Sequence, residues 1–374
     1  VTCTPRPARP DDDAALVRLA ADCPMPGALT LCNERAPRFF ALTELESLGH
    51  AGPGRIWVSD DDAGVPIGCL AWAERLLYLD GNPTRVGYVS DLKVHPNHRG
   101  RGVADALVRA VRDDARAVGG AEMPGVLTVL AGNQRVERRL PGPRDQPRVE
   151  RFAELEVLSI PLLPWRRSRD AALDVRPADA TDADQMLALW RSVAPGRQLA
   201  PVLDGGRFER FLAAAPDLSL ASYWLARRRA DGRLLGFLAL WDQARFKQTV
   251  VRRWGARLAA FRWAWNAFAA IAPGWARLPA AGQPLRHLTA FHTCVPADRP
   301  DVLRALVLAG SRALRGRGYA FVNVALDRRD PLRAGLRGLG GQPTRVAAGI
   351  TTPAGGYHGP PLDNRPLHFE TALV

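Results

Sequence analysis

"LKVHPNHRGRGVADALVRAV", residues 92–111, is the stretch whose reading decides the fold. An apolar strand-like run meets Pro96, then a loop with glycines set between arginines, Arg99-Gly100-Arg101-Gly102, then a helical pattern. Val103, Ala104, Leu107, Val108 and Val111 share one apolar face, with Asp105, Arg109, Arg112 and Asp113 turned away. That spacing predicts a helix starting at Gly102 or Val103. The first amides of such a helix have no intrahelical partner and point at whatever precedes them. Gly100 and Gly102 remove the side chains that would hold an anion off the backbone, and Arg99 and Arg101 add charge. The loop is either a pyrophosphate cradle or a basic turn that holds nothing. A Walker loop would end in Gly-Lys-Ser/Thr, and a dinucleotide fingerprint would place a third glycine near Asp105 in the first βαβ unit; neither is present.

Working outward, the chain repeats itself. Arg6-Pro7-Ala8 recurs as Arg176-Pro177-Ala178, each followed by acidic residues and an apolar-periodic helix. Carboxylates in a first helical turn suit the helix dipole. "IWVSDDDAGVPIGCLAW" (56–72) corresponds to "YWLARRRADGRLLGFLAL" (223–240), each two strands about an aspartate-glycine turn. "VHPNHRGRGVADALV" (94–108) parallels "CVPADRPDVLRALV" (294–307), and strands follow at 126–132 and 320–327. The ends read alike, "RFAELEVL" (151–158) against "HFETALV" (368–374). The expectation is two copies of one mixed α/β domain, 1–165 and 171–374, each a twisted mixed sheet flanked by helices. The proline-rich segment 160–170 is the natural linker.

The second copy carries an insertion at about 244–280. Trp254, Leu258, Phe261, Trp265 and Phe268 fall on one helical face, and between Arg245 and Ile271 there are six basic residues and no acid. A basic amphipathic helix lies on a membrane surface, takes a partner, or packs on the domains as a pocket wall.

At 374 residues the chain is long for one domain. The net charge of +13 points to polyanionic ligands. Yet Lys93 and Lys247 are the two lysines in the whole chain, so the basicity is arginine bias and argues for no specific nucleic-acid partner. Cys3, Cys23, Cys32, Cys69 and Cys294 show no metal-ligand spacing, so reduced cysteines and no metal are expected. The first residues do not read as a signal peptide, and no apolar run is long enough to span a bilayer. A cytoplasmic protein is the expectation.

From Val94-His95-Pro96 through Arg99-Gly100-Arg101-Gly102-Val103-Ala104, the chain resembles the GNAT N-acetyltransferase family, whose signature is Arg/Gln-x-x-Gly-x-Gly/Ala after a strand ending Val-x-Pro. As a tandem pair the resemblance covers the whole chain, with the signature in the first copy. It implies a transferase using acetyl-CoA, with the amides of Arg99, Gly100, Arg101, Gly102, Val103 and Ala104 on the pyrophosphate. It implies that the backbone of Leu92, Lys93 and Val94 carries the pantetheine like an added strand, and that Asn133 contacts the cofactor. In the second copy Arg299-Pro300-Asp301-Val302 replaces the loop. Pro300 lacks a donor and Asp301 is negative, so that half is expected to have lost the cofactor and to serve as scaffold.

The family's reaction needs a neutral amine, a polarised thioester carbonyl and a proton for the leaving thiolate. The Val94 amide can polarise the carbonyl. In polyamine acetyltransferases the strand before the loop reads Tyr-x-Glu-Asp, whereas here it is Tyr88-Val89-Ser90-Asp91. Ser90 stands where the glutamate would be and could position a relaying water. Strand alternation sends Asp91 to the other face. Tyr88 substitutes for the missing tyrosine acid after Asn133, His95 and His98 flank the loop, and the carboxylate of Val374 is a remote base candidate. The reading is an N-acetyltransferase acting by direct attack on an amine acceptor, small molecule or peptide, with oligomers possible. A non-catalytic acyl-CoA-binding protein and a membrane-surface acyltransferase using the Trp-rich helix are the alternatives.

Overall fold

The computed structural model describes residues 4–49, 54–138, 140, 148–163 and 171–373. In the first half β1 (Arg6–Pro7) leads to α1 (Asp13–Ala21), β2 (Leu29–Glu34) and α2 (Ala41–Gly49). An antiparallel meander follows, β3 (Gly54–Asp60), β4 (Pro66–Leu79) and β5 (Asn82–Val94). Then come α3 (Val103–Gly119), β6 (Gly125–Leu130), α4 (Gln134–Glu137) and β7 (Glu150–Pro161). The second half begins with β8 (Leu173–Pro177), α5 (Ala183–Val193), α6 (Gly205–Ala214), β9 (Tyr223–Arg228) and β10 (Leu234–Trp241). It continues with β11 (Gln248–Trp254), α7 (Ala256–Ile271), β12 (Leu288–Cys294), α8 (Pro300–Leu314), β13 (Phe321–Asp327), α9 (Arg333–Leu336) and β14 (Gln342–Thr351).

The repeat is visible in side chains as well as in order. Arg6 grips Asp12 through two hydrogen bonds, 2.7 and 2.9 Å, and Arg176 grips Asp182 in the same way, both at 2.8 Å. Each aspartate also accepts the amide three residues before it, Arg9 or Asp179, at 2.6 and 2.9 Å. A first-turn acid expected to serve the helix dipole therefore also pins the preceding strand to its helix. The first meander turns on Asp61, whose carboxylate accepts the amides of Ala63 and Val65 at 2.9 Å, with Gly64 left-handed at φ +77°.

The sheets expected for the two copies are joined into one of twelve strands, in the order β1-β3-β4-β5-β6-β14-β7-β13-β12-β10-β9-β8. The order reads alike from either edge once β14 and β7 are seen to have changed places. β14 pairs with β6 of the first half, and β7 pairs with β13 of the second, each antiparallel. β7 and β14 pair with each other at the centre. This corrects the matching of the two ends: the counterpart of β7 is β14, where buried Val346, Ala348 and Ile350 alternate. Residues 368–373 form no strand, Val374 lies outside the described residues, and so does 164–170 of the expected linker.

Helices cover both faces. α1 packs on Ile56, Val58, Cys69 and Ala71, and α3 on Ile67, Leu70 and Trp72. In the second half, α5 and α6 cover Phe237, Trp241 and Phe291, and α8 covers Leu235, Leu238 and Val322. The insertion differs from its sequence reading. Residues 248–254 are a strand, β11, paired with β2 of the first half in a small second sheet. Trp254 therefore belongs to that strand and not to the helical stripe. β-branched Thr249, Val250 and Val251 favour extended backbone, and Gly255 caps the helix that follows.

Candidate active site

β5 and β6 run parallel and pair only over Gly87–Val89 and Gly125–Leu127, then part. The gap between them is a wedge with an apolar lip on each side: Leu92 and Leu130 are each 38% exposed, on strands otherwise largely covered. His95 donates its amide to Ile67 at 2.8 Å, so backbone alternation turns the polar groups of Leu92 and Val94 toward the wedge. At its head α3 begins at Val103, with Gly102 as N-cap at φ +80° and Gly100 at φ +77°. A side chain added at either glycine would meet no atom within 4 Å, so the space before the helix terminus is open. Gly100, Arg101 and Gly102 are exposed; Val103 puts its side chain in the core beneath Gly68 and offers only its amide outward, while Ala104 is half-buried. Asn133 is exposed just past β6, at the same end of the wedge. The predicted loop residues are thus gathered at one place. Arg99 is more engaged than expected: its Nε donates to the Val94 carbonyl at 3.0 Å, which ties the loop to the strand. His95 accepts the Asn97 amide through Nδ1 at 3.3 Å and meets His98 edge-on at 5.7 Å.

Below the loop the strand is irregular. Cys69 faces Lys93 and Ala71 faces Ser90, so Leu70 of β4 is opposed by two residues of β5, Asp91 and Leu92. This is a β-bulge, with Asp91 left-handed at φ +57°. The bulge overturns the alternation expected for Asp91. Ser90 and Lys93 now share the α1 face with their partners Ala71 and Cys69, and the Asp91 carboxylate joins them, accepting Lys93 Nζ at 2.6 Å and pairing with Arg35. Burial alone would raise the Asp91 pKa, but Arg35 and Lys93 outweigh it and hold the group down at about 2. Tyr88, on the same face, is buried, with its hydroxyl 3.3 Å from Thr128 Oγ1 and the Arg75 guanidinium 3.9 Å over its ring. Burial pushes its phenol up. Arg75 in turn pairs with Glu46 and donates to the Leu373 carbonyl at 3.0 Å.

The second half reaches this cluster through Lys247, which donates to the carbonyls of Thr371 and Ala372 at 2.9 and 3.4 Å. Burial first, then the charges of Arg35 and Lys93, lower Lys247 to about 7. Lys247 also lines a polar cavity of about 160 Å³ with Asn33, Gln243, His287, Thr289 and Thr371. Arg35, Arg75, Glu46 and Lys247 were missed in the sequence. One signal was there: in an arginine-rich chain the two lysines, Lys93 and Lys247, belong to one electrostatic cluster. Arginine cannot lose its proton in a protein, and lysine can. In protein labelled with ¹³C-lysine, one of the two side-chain signals is expected to titrate near pH 7, and Lys247→Met to remove it. Because the folded value is depressed, the unfolded chain binds the extra proton between about 7 and 10.5. Stability should therefore rise with pH across that window.

The second half has a matching parting of strands. β12 and β13 pair at Leu288–Val322 and Thr289–Asn323, and a bulge at left-handed His292 mirrors Asp91. The amide of His292, the counterpart of Asp91 at the bulge, is taken by both oxygens of Glu370, at 3.0 and 3.2 Å. Burial lowers His292 to about 4, so it is neutral, and its Nδ1 lies 2.8 Å from the Tyr223 hydroxyl. At the helix head, Asp301 is held by Arg299 at 2.6 Å, and a side chain at Gly335 would run into the Pro300 carbonyl.

Residues 17–138 match the acetyltransferase (GNAT) family. They form a GNAT domain. No curated protein matches the sequence. Among solved structures, a GCN5-related N-acetyltransferase from Sphaerobacter thermophilus is 15% identical with a TM-score of 0.59, covering 94% of this chain and 96% of that one. A tandem GNAT protein from the clavulanic acid biosynthesis pathway is 16% identical with a TM-score of 0.57, covering 96% of this chain and 98% of that one. The Saccharomyces cerevisiae N-myristoyltransferase with bound myristoyl-CoA is 12% identical with a TM-score of 0.60, covering 94% and 80%. The GNAT fold thus extends over both halves. Among the described residues no helix is long and apolar enough to cross a membrane.

Proposed function

We propose that this chain transfers an acetyl group from acetyl-CoA to an amine acceptor, by direct attack in a ternary complex built on the first half. The observation that carries this reading is the wedge between β5 and β6, with apolar lips at Leu92 and Leu130 and open space before Gly100 and Gly102. Backbone groups of Leu92 and Val94 take the pantetheine arm, with Lys93 between them bonded toward β4 instead, the amides of 99–104 take the pyrophosphate, and Asn133 stands at the mouth. The Val94 amide faces the wedge and polarises the thioester carbonyl.

An acyl-enzyme through cysteine is disfavoured: Cys69, beside the bulge, is pushed up to about 12 by burial and is not a thiolate at neutral pH. Asp91, held at about 2, is too weak a base for an amine. Proton uptake falls to the cluster containing Lys247, with Ser90 placed to hold a relaying water. Tyr88, buried against Thr128, serves the site by positioning or as the acid. The second half is a scaffold and a wall of the acceptor space, the amide at its own bulge taken by Glu370. The four described cysteines are free thiols, which suits a reducing, cytoplasmic setting.

Calorimetric titration of acetyl-CoA into the full chain tests this, with one site per chain expected. Two sites would mean that the second half keeps a cofactor site. Absence of heat and of protection by either acetyl-CoA or free CoA would sink the reading. Thiol release on adding amines would then separate an enzyme from a cofactor-binding protein.

A further inference from the structure

α7 is built inside out. It has three polar side chains, Arg257, Arg262 and Asn266, and two of them face the protein. Asn266 exchanges hydrogen bonds with the backbone of Leu278, 2.9 and 2.8 Å, and Arg262 Nε donates to the Pro279 carbonyl at 2.7 Å. Trp265 donates its indole N–H to Ala276 at 2.9 Å and packs edge-on against Trp275. The outward surface carries the apolar groups: Trp263 is 75% exposed, Ile271 82%, Phe261 52% and Phe268 47%, with alanines between them. No residue of this 16-residue helix is buried. A helix facing water puts its polar residues outward, and an exposed apolar surface of this kind marks an interaction site.

The charge around the helix selects the occupant. From Gln243 to Ala297 there is no aspartate or glutamate. Arg253, Arg257 and Arg277 are exposed around the patch, whereas Arg252 is engaged by Glu34 at 2.7 Å. A second copy meeting this surface through its own α7 would bring arginine against arginine with no acid to separate them. An anionic bilayer surface supplies the missing negative charge and accepts tryptophan, phenylalanine and isoleucine at headgroup depth.

We propose that α7 is an interfacial helix that seats the chain on anionic phospholipid, with Trp263 and Ile271 in the headgroup region and the flanking arginines on lipid phosphates. This does not rest on the acyl-transfer reading, since its readout is vesicle binding.

The test is co-sedimentation of the full chain with phosphatidylcholine vesicles and with vesicles containing about one third phosphatidylglycerol, at low and high salt. Binding to the anionic vesicles is expected to be at least about tenfold tighter and to weaken with salt. The double variant Trp263→Glu with Ile271→Glu is expected to lose at least about tenfold of that binding. Its urea midpoint should be unchanged, because both side chains are exposed. Equal binding by variant and parent, or no binding to anionic vesicles, would overturn the proposal. So would a dimer of the parent that the variant disperses while vesicles go unbound, which would assign the surface to a second copy.

Discussion

Gly102→Glu is expected to weaken acetyl-CoA binding by at least about 100-fold, near 3 kcal/mol, while the protein stays folded. The expectation rests on electrostatics rather than on crowding. Nothing lies within 4 Å of a side chain at this position, so the glutamate projects into the space before α3 without a clash. It places a carboxylate where the unpaired amides of the first turn would meet a pyrophosphate, and like charges there repel at short range. The left-handed backbone at φ +80° adds a strain of about 1 kcal/mol for any residue but glycine. Gly64→Glu separates the two effects. Gly64 has φ +77° and equally open surroundings, but sits in the β3–β4 turn. It should pay the same strain and bind acetyl-CoA normally by calorimetry. If Gly102→Glu binds as well as the parent, the loop holds no phosphate.

Asp91→Asn is expected to cost about 3–5 kcal/mol of stability, read as a lowered urea midpoint at pH 7. The amide keeps the shape of the carboxylate, so no cavity is made. What is lost is the anion that, among the described residues, pairs with Arg35 and Lys93 and acts on Lys247 of the second half. Arg35 and Lys93 would then share a buried site without the carboxylate that pairs them, and Lys247, whose proton Asp91 helps to hold, would be pushed lower still. Adding Lys247→Met should return part of the loss, and the size of that return measures the coupling between the halves. The pH dependence has a definite sign. A carboxylate held at about 2 contributes stability that is complete above its ordinary value of 3.8 and is lost as pH falls through about 2. Asp91→Asn should remove that acid-side slope.

The loop and its helix were legible because their signals are local. Glycine and arginine spacing, an apolar face at helical period and a proline before the turn all lie within one stretch, and the helix begins at Val103 as the pattern requires. The repeated order of strands and helices was legible for the same reason, but the Arg6–Asp12 and Arg176–Asp182 clamps were not, because those acids were read as serving the helix dipole. The bulge was not, because alternation assumes an unbroken ladder, and nothing in Tyr88-Val89-Ser90-Asp91 announces an extra residue. Trp254 was placed on a helix because its spacing matched. Yet spacing does not register that Val250 and Val251 find strand partners in Cys32 and Leu31, more than 200 positions away in sequence. The departure of the second half from the loop pattern was half legible. Pro300 and Asp301 showed a spoiled loop, while Glu370 on the His292 amide is a tertiary contact without a sequence signature.

The exchange of β7 and β14 binds the fates of the two copies. β6, the far wall of the wedge, meets β5 through three residue pairs but is held along its whole length, from Gly125 to Leu130, by β14. The last strand of the half without a glycine loop therefore sets the width of the groove in the half that has one. An idle duplicate would be free to drift, but this one is not. A mutation in Val346 or Ile350 is felt at the other copy's groove, and a chain cut between the halves would leave each with an unfinished edge. Selection for the first site is, through that strand, selection for the second half as well.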